Sequence, residues 1–158
     1  MNDLVTRNLF LVLEEQHPAT TCKGFPPSYR FAILIRETSE RIGQITVRVG
    51  NDAILREYAG HISYEIVPEH RGNRFAAEAC AAIIPFAESL GIHPVRVTCD
   101  PENLGSARTC ELCGGVLLGI VAVPPGNYAY ENGARLKLQY EFPRGTCRTQ
   151  EDHEPGWA

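Results

Sequence analysis

The chain has 158 residues, enough for one domain with a sizeable core. Hydrophobic residues make up 44 % and charged residues 22 %, which excludes a disordered or fibrous chain, and the formal net charge of -4 excludes the strongly basic footprint of a nucleic-acid binder. Of the 15 basic residues only Lys23 and Lys137 are lysines, so positive charge rests on guanidinium groups, which suit carboxylate and phosphate.

Near the start, Asp3 stands where an export signal carries basic residues, and no stretch approaches the roughly 20 apolar residues of a membrane span. The expectation is a cytoplasmic protein with no membrane partner. Its six cysteines (22, 80, 99, 110, 113 and 147) should then stay reduced.

Residues 3–13 read as extended and apolar, with Leu4, Leu9, Leu11 and Leu13 prominent. Residues 14–28 hold three prolines and a glycine and read as loop. Strands follow at 29–36 and 41–49, joined by a short polar link that suits a hairpin. After a polar connection at 51–57, residues 60–67 form a strand with Ile62, Tyr64 and Ile66 on one face and His61, Ser63 and Glu65 on the other. The period then changes. Residues 75–90 are Ala-rich and helical, ending at Gly91, with Pro85 expected to kink the helix. A short buried strand at 95–99 precedes a helix at 104–113, and strands at 116–123 and 135–142 close the order around a loop at 124–128.

This order implies an α/β (α+β) domain over residues 1–142, with one mixed, mostly antiparallel seven-stranded sheet flanked by helices. The strand–helix–strand unit at 60–99 implies a right-handed crossover between parallel strands. Residues 143–158 read as a polar, frayed tail. An edge strand at 135–142 would make a homodimer possible.

The segment Pro68-Glu69-His70-Arg71-Gly72-Asn73-Arg74-Phe75-Ala76 lies between a strand and a helix. Such a turn aims backbone N–H groups outward at a helix N-terminus, where the dipole favours negative charge; Gly72 permits close approach, and Arg71 and Arg74 add charge. That is the physics of a phosphate cradle, although a solvated turn that merely starts a helix has the same spacing.

Residues 71–76 resemble the acetyl-CoA pyrophosphate loop of the GCN5-related N-acetyltransferase (GNAT) family, with Arg71 and Ala76 at its first and last positions and Arg74 where the central glycine normally stands. Asn103, Ser106 and Glu111 ahead of Gly114 resemble the family's second motif, and the spacing is closest to the subgroup acting on ribosomal-protein amino termini. The resemblance implies the GNAT fold and transfer of an acetyl group from acetyl-CoA, without a metal, to a primary amine on a small molecule or a protein N-terminus. It implies that the backbone of Ile66 and Val67 pairs with pantetheine. Amides of Arg71, Gly72, Asn73, Arg74, Phe75 and Ala76 would hold the pyrophosphate. Asn103 would bond the cofactor arm and Ser106 would cap the second helix.

A lysine-type amine has a pKa near 10.4, so a proton acceptor is needed at neutral pH. Glu65 and His61, on the face expected to line the acceptor cleft, are the candidates, with Glu65 ranked first. Many family members place a tyrosine on the second helix to protonate the departing thiolate. Cys110 holds that position here and is the candidate acid. Cys110 and Cys113 lack a second ligand pair for zinc and read as core packing. The missing tyrosine and the arginine in the glycine position keep a second reading open, an acyl-CoA-binding module without turnover.

Overall fold

The structure, a computed structural model, describes residues 3–17, 26–50, 55–126 and 128–143. The expected tail beyond residue 143, the start of the connection at 51–57, and Cys22 and Cys147 lie outside it. The described strands are β1 (Leu4–Val5), β2 (Leu9–His17), β3 (Ser28–Ile35), β4 (Arg41–Arg48), β5 (Ile62–Ile66), β6 (Val95–Cys99), β7 (Val116–Ala122) and β8 (Leu136–Phe142). The α-helices are α1 (Phe75–Ser89), α2 (Leu104–Leu112) and the short α3 (Tyr128–Glu131), with a π-helical turn at Leu55–Ala59, where a polar connection was expected, and a 3-10 turn at Pro68–His70. No helix among the described residues is long and apolar enough to cross a membrane.

Two expectations at the amino end change. The extended stretch at 3–13 divides into β1 and β2, which pair antiparallel. What bends the chain is Glu78 in the first turn of α1, 4 % exposed. Its carboxylate accepts from the Thr6 hydroxyl, from the Asn8 N–H at 2.7 Å and from Asn8 Nδ2 at 2.9 Å. Residues 14–17, expected as loop, continue β2: past a bulge at Leu13/Glu15 they pair with Arg30, Tyr29 and Ser28. Arg30 donates to Glu15 at 2.5 Å, so polar side chains extend the ladder where the apolar pattern has stopped.

The α+β class stands, but the sheet is split. Strands β1 to β5 form an antiparallel sheet in sequence order, and β6-β8-β7 form a second one. The crossover strands β5 and β6 share no ladder. Just ahead of β5 the His61 N–H donates to the Arg96 carbonyl at 2.7 Å. The bond that would continue the pairing is intercepted, because the Arg96 N–H donates instead to His61 Nδ1 at 2.9 Å. Gly60 permits this close start, since a Cβ there would stand 3.0 Å from the Thr98 nitrogen. Strand β8 is central in its sheet, so the expected edge at 135–142 lies on β7 instead.

Helix α1 runs unbroken through Pro85. Its apolar side chains, among them Ile83, Ile84 and Phe86, are buried against the first sheet, with Phe86 edge-on to Tyr29 and Phe31 at 5.5 and 5.3 Å between ring centres. α2 packs on α1 and β6. Burial of this kind is worth about 25 cal/mol per Å² of apolar area and fixes both helices relative to β5.

Candidate active site

A cleft of about 660 Å³ opens between the carboxyl half of β5, the head of α1 and one face of α2. Open α/β arrangements bind ligands beyond the carboxyl ends of their strands, and this cleft lies where β5 and β6 have parted. Its walls bring together Glu65, Ile66, Arg71, Gly72, Arg74, Phe75, Ala76, Asn103 and Ser106 from the sequence reading. Val67, Asn73, His61 and Cys110 do not line it.

The loop entering α1 makes the cradle. Gly72 and Arg74 both have positive φ, at 86° and 61°. Arg74, at ψ 22°, sits at the N-cap in the left-handed region with no side-chain cap bond. A glycine is the ordinary occupant of such a position, and an L side chain there carries strain of about 1–2 kcal/mol. At Gly72 an added Cβ would meet nothing within 4 Å, so the main chain is open to a bulky anion. The first bond of the helical ladder is Glu78 N–H to the Arg74 carbonyl at 3.1 Å, which leaves the N–H groups of Phe75 and Ala76 ahead of it without an intrahelical acceptor. Arg71 is anchored, its Nε donating to the Ile66 carbonyl at 2.8 Å. Asn73 Nδ2 donates to the His70 carbonyl at 3.3 Å, a bond that closes the turn.

Of Ile66 and Val67, both expected to pair with the cofactor, Val67 is engaged through both backbone groups, and Ile66 has its carbonyl taken by Arg71 Nε, which leaves the Ile66 N–H. The Val67 N–H donates to Ile42 at 2.8 Å and its carbonyl accepts from His70 at 3.0 Å. Antiparallel alternation from that bond turns the Ile66 backbone away from β4. β5 can approach β4 this closely because residue 43 is glycine: a Cβ there would lie 2.0 Å from the Glu65 carbonyl oxygen.

The capping role expected of Ser106 belongs to Asn103. Asn103 is the N-cap of α2, its Oδ1 accepting from the Ser106 N–H at 3.1 Å. The Ser106 hydroxyl lies 2.7 Å from the Tyr64 hydroxyl. Tyr64 is the cleft residue that alternation alone assigns to the apolar face, and only the docking of α2 on β5 reveals its partner. Burial pushes its phenol above the usual tyrosine value, so it stays a neutral hydrogen-bond donor.

Two candidates for catalysis are displaced. His61 is fully buried. Its Nε2 lies 2.8 Å from the Gly50 carbonyl and its Nδ1 takes the Arg96 N–H, so Nε2 carries the proton and the ring pins the fork between the sheets. Cys110 is fully buried, and burial pushes its thiol well above the usual range. A thiol held neutral inside the core is packing, as read for the Cys110/Cys113 pair, and not a group facing the cleft. Cys80, Cys99, Cys110 and Cys113 are free and buried. Among the described residues no cluster of three His, Cys, Asp or Glu could hold a metal ion. Glu65 keeps its expected place, exposed at the end of β5 on the cleft wall.

Comparison with known proteins agrees with this geometry. The profile of the acetyltransferase (GNAT) domain matches residues 13–116. The chain is 28 % identical over 120 residues to the uncharacterized N-acetyltransferase YnaD of Bacillus subtilis, covering 72 % of this chain and 66 % of that protein. It resembles the ribosomal-protein-S5-alanine acetyltransferase of Vibrio fischeri with TM-score 0.58 and 19 % identity, over 73 % of this chain and 61 % of that one. The microcin C7 self-immunity acetyltransferase MccE, solved with acetyl-CoA and AMP, matches with TM-score 0.53 and 16 % identity over 73 % and 61 %. The chain thus spans under two thirds of the length of each. The split between β5 and β6, the left-handed loop before α1 and the match over residues 13–116 agree, and this chain belongs to the GNAT acetyltransferase family.

Proposed function

We propose that this chain is an N-acetyltransferase that moves the acetyl group of acetyl-CoA to a primary amine, on a small molecule or a protein N-terminus, in the reducing cytoplasm that its buried free thiols suit. The observation that carries the reading is the loop at 71–76: two left-handed residues and open backbone at the head of α1, facing a cleft that also holds a carboxylate and a hydroxyl pair.

The residues present fit acetyl-CoA. The N–H groups of Phe75 and Ala76, with the backbone at Gly72, suit a pyrophosphate, and the Ile66 N–H suits an extended arm. When bound, acetyl-CoA supplies an activated acyl carbon and a sulfur leaving group. Glu65 accepts a proton from the incoming ammonium, directly or through a water, and so frees the nitrogen lone pair. The Tyr64 and Ser106 hydroxyls bond each other at 2.7 Å and leave one hydroxyl hydrogen on the α2 side of the cleft, where it would stabilise charge on the departing sulfur. Cys110 and His61 support the walls and take no part in proton transfer.

Two variants test this. Glu65→Gln is expected to lower amine-dependent CoA release by about 10²- to 10⁴-fold while acetyl-CoA affinity stays within a few-fold. Gly72→Pro, which removes an N–H and forces φ to about −65°, is expected to abolish acetyl-CoA binding in calorimetric titration. Acetyl-CoA binding with no CoA release against peptide, polyamine, aminoglycoside and amino-acid acceptors would instead identify a binding module without turnover.

A further inference from the structure

The loop entering α1 is held by bonds that stay close in sequence: the Arg71 and Asn73 side chains and the His70 N–H donate to carbonyls no more than five residues away. The His70 side chain reaches further. Its Nε2 lies 3.0 Å from Glu40 Oε2, in the turn between β3 and β4 and 30 residues away. That turn is a firm anchor. The Ile35 N–H donates to the Glu40 carbonyl at 2.9 Å, the Ser39 N–H to the Ile35 carbonyl at 2.7 Å and the Glu40 N–H to the Thr38 hydroxyl at 3.2 Å. On its other side His70 lines the cleft, its ring centre 6.5 Å from that of Phe75 at the head of α1. The two side chains are 23 % and 56 % exposed, and an ion pair this open adds little to stability. What gives the pair a use is its place, at the turn that leads into the left-handed Gly72 and Arg74.

We infer that His70, held by Glu40, is a positioning residue for the phosphates of acetyl-CoA: the pair ties the loop to the β3–β4 turn and stands the imidazole on the cleft wall, where its protonated form adds positive charge. This rests on the acetyl-CoA reading and deepens it. The groups around the ring are Glu40 from the β3–β4 turn, Glu69 and Arg71 beside it in the chain, Arg74 on the same wall and the Phe75 ring from α1. Arg41, next to Glu40, is drawn off to Glu14 at 3.0 Å. The arginines keep their charge throughout, whereas an imidazole changes charge between about pH 5 and 8. Nε2 carries a proton toward Glu40 in the charged ring and in one neutral tautomer, so the tether outlasts the charge. Acetyl-CoA binding therefore strengthens as His70 gains its second proton. A positive charge beside two phosphates, in a cleft open to salt, is worth on the order of 3- to 10-fold in affinity.

Calorimetric titration of acetyl-CoA into the full chain, at about pH 5.5 and about pH 8.5 and fixed ionic strength, tests it. Each variant is compared with the wild type at the same pH, so that titration of the ligand's own phosphates cancels. His70→Gln keeps an N–H donor for Glu40 but has no proton to gain. It is expected to bind about 3- to 10-fold more weakly than the wild type at the lower pH and within about 2-fold of it at the higher. Glu40→Ala unties the loop and is expected to cost about 2- to 5-fold at both, whereas Glu40→Gln, which keeps an acceptor, recovers the affinity at the higher pH. Both positions reach solvent, so melting temperatures should stay within about 2 °C of the wild type. A His70→Gln variant that tracks the wild type at both pH values overturns the proposal. So does a Glu40→Ala variant that binds as the wild type does. Weaker binding accompanied by a fall of more than about 5 °C in melting temperature overturns it as well, since the pair is then a brace of the fold. A wild type that binds no acetyl-CoA at either pH refutes the acetyl-CoA reading itself and this inference with it; the other failures leave that reading standing.

Discussion

Arg74 offers the sharpest test of the loop, because its backbone and its side chain can be separated. At φ 61° and ψ 22° the residue is left-handed, and an L side chain there carries about 1–2 kcal/mol of strain. Replacing it by glycine removes that strain but adds roughly 0.5–1 kcal/mol of chain entropy to the unfolded state, so the two terms partly cancel. Alanine keeps the strain and lacks the guanidinium just as glycine does. Whatever the Arg74 side chain contributes is therefore lost equally in both variants, and their difference isolates the backbone. Arg74→Gly should be more stable than Arg74→Ala by about 0.5–1 kcal/mol, whereas inside a helix alanine leads glycine by about 1 kcal/mol. For a chain of this length that is a gap of roughly 1–4 °C in Tm. Urea denaturation of the two variants measures the difference directly. Acetyl-CoA titrated into each should bind the glycine variant at least as tightly as the alanine variant, because both lack the guanidinium and only the glycine loop is unstrained. Equal stabilities, or a more stable alanine variant, would show that the left-handed turn does not govern this position, and the cradle would lose its physical basis.

Other outcomes follow from the same structure. His61→Ala removes a buried ring bonded at both nitrogens, and it should cost about 3 kcal/mol in urea denaturation, with loss of turnover appearing only as loss of folded protein. Glu78→Ala strands the Thr6 and Asn8 donors and should destabilise by about 2–4 kcal/mol, with hydrogen exchange rising first in β1 and the start of β2. Alkaline pH should also destabilise. Burial raises the pKa of Cys99, Cys110 and Tyr64 in the fold, so the unfolded chain releases these protons first and binds fewer of them. Stability is then fully present below the ordinary thiol value of 9.0 and declines above it, by up to about 1.4 kcal/mol per pH unit for each group. Cys110→Ala should flatten part of that slope in urea midpoints taken from pH 8 to 10.5, and an unchanged slope would contradict the burial argument.

The cradle was legible in the sequence because it is local. A strand, a turn with Gly72 and a helix starting at Phe75 place outward N–H groups at one point in space whatever the rest of the chain does. The same holds for the buried face of α1 and for Glu65 at the end of β5, since periods of 3.6 and 2 are properties of adjacent residues. Tertiary packing decided the rest. The partner of the Ser106 hydroxyl depends on where α2 meets β5, which sets Ser106 against Tyr64, 42 residues away. Strand alternation put His61 on the same face as Glu65, but it could not show that Arg96 would reach across and turn the ring into a pin between the sheets. The division of one expected sheet into two has the same origin: a ladder is broken by a side chain that accepts the next N–H, and the partner of that N–H lies 35 residues away. A buried Cys110 and a bent amino end around Glu78 likewise record contacts between distant segments, whose free energies come from burial and from satisfying polar groups once water is gone. Local pattern specified which backbone could hold an anion, while long-range packing specified which side chains were left facing it.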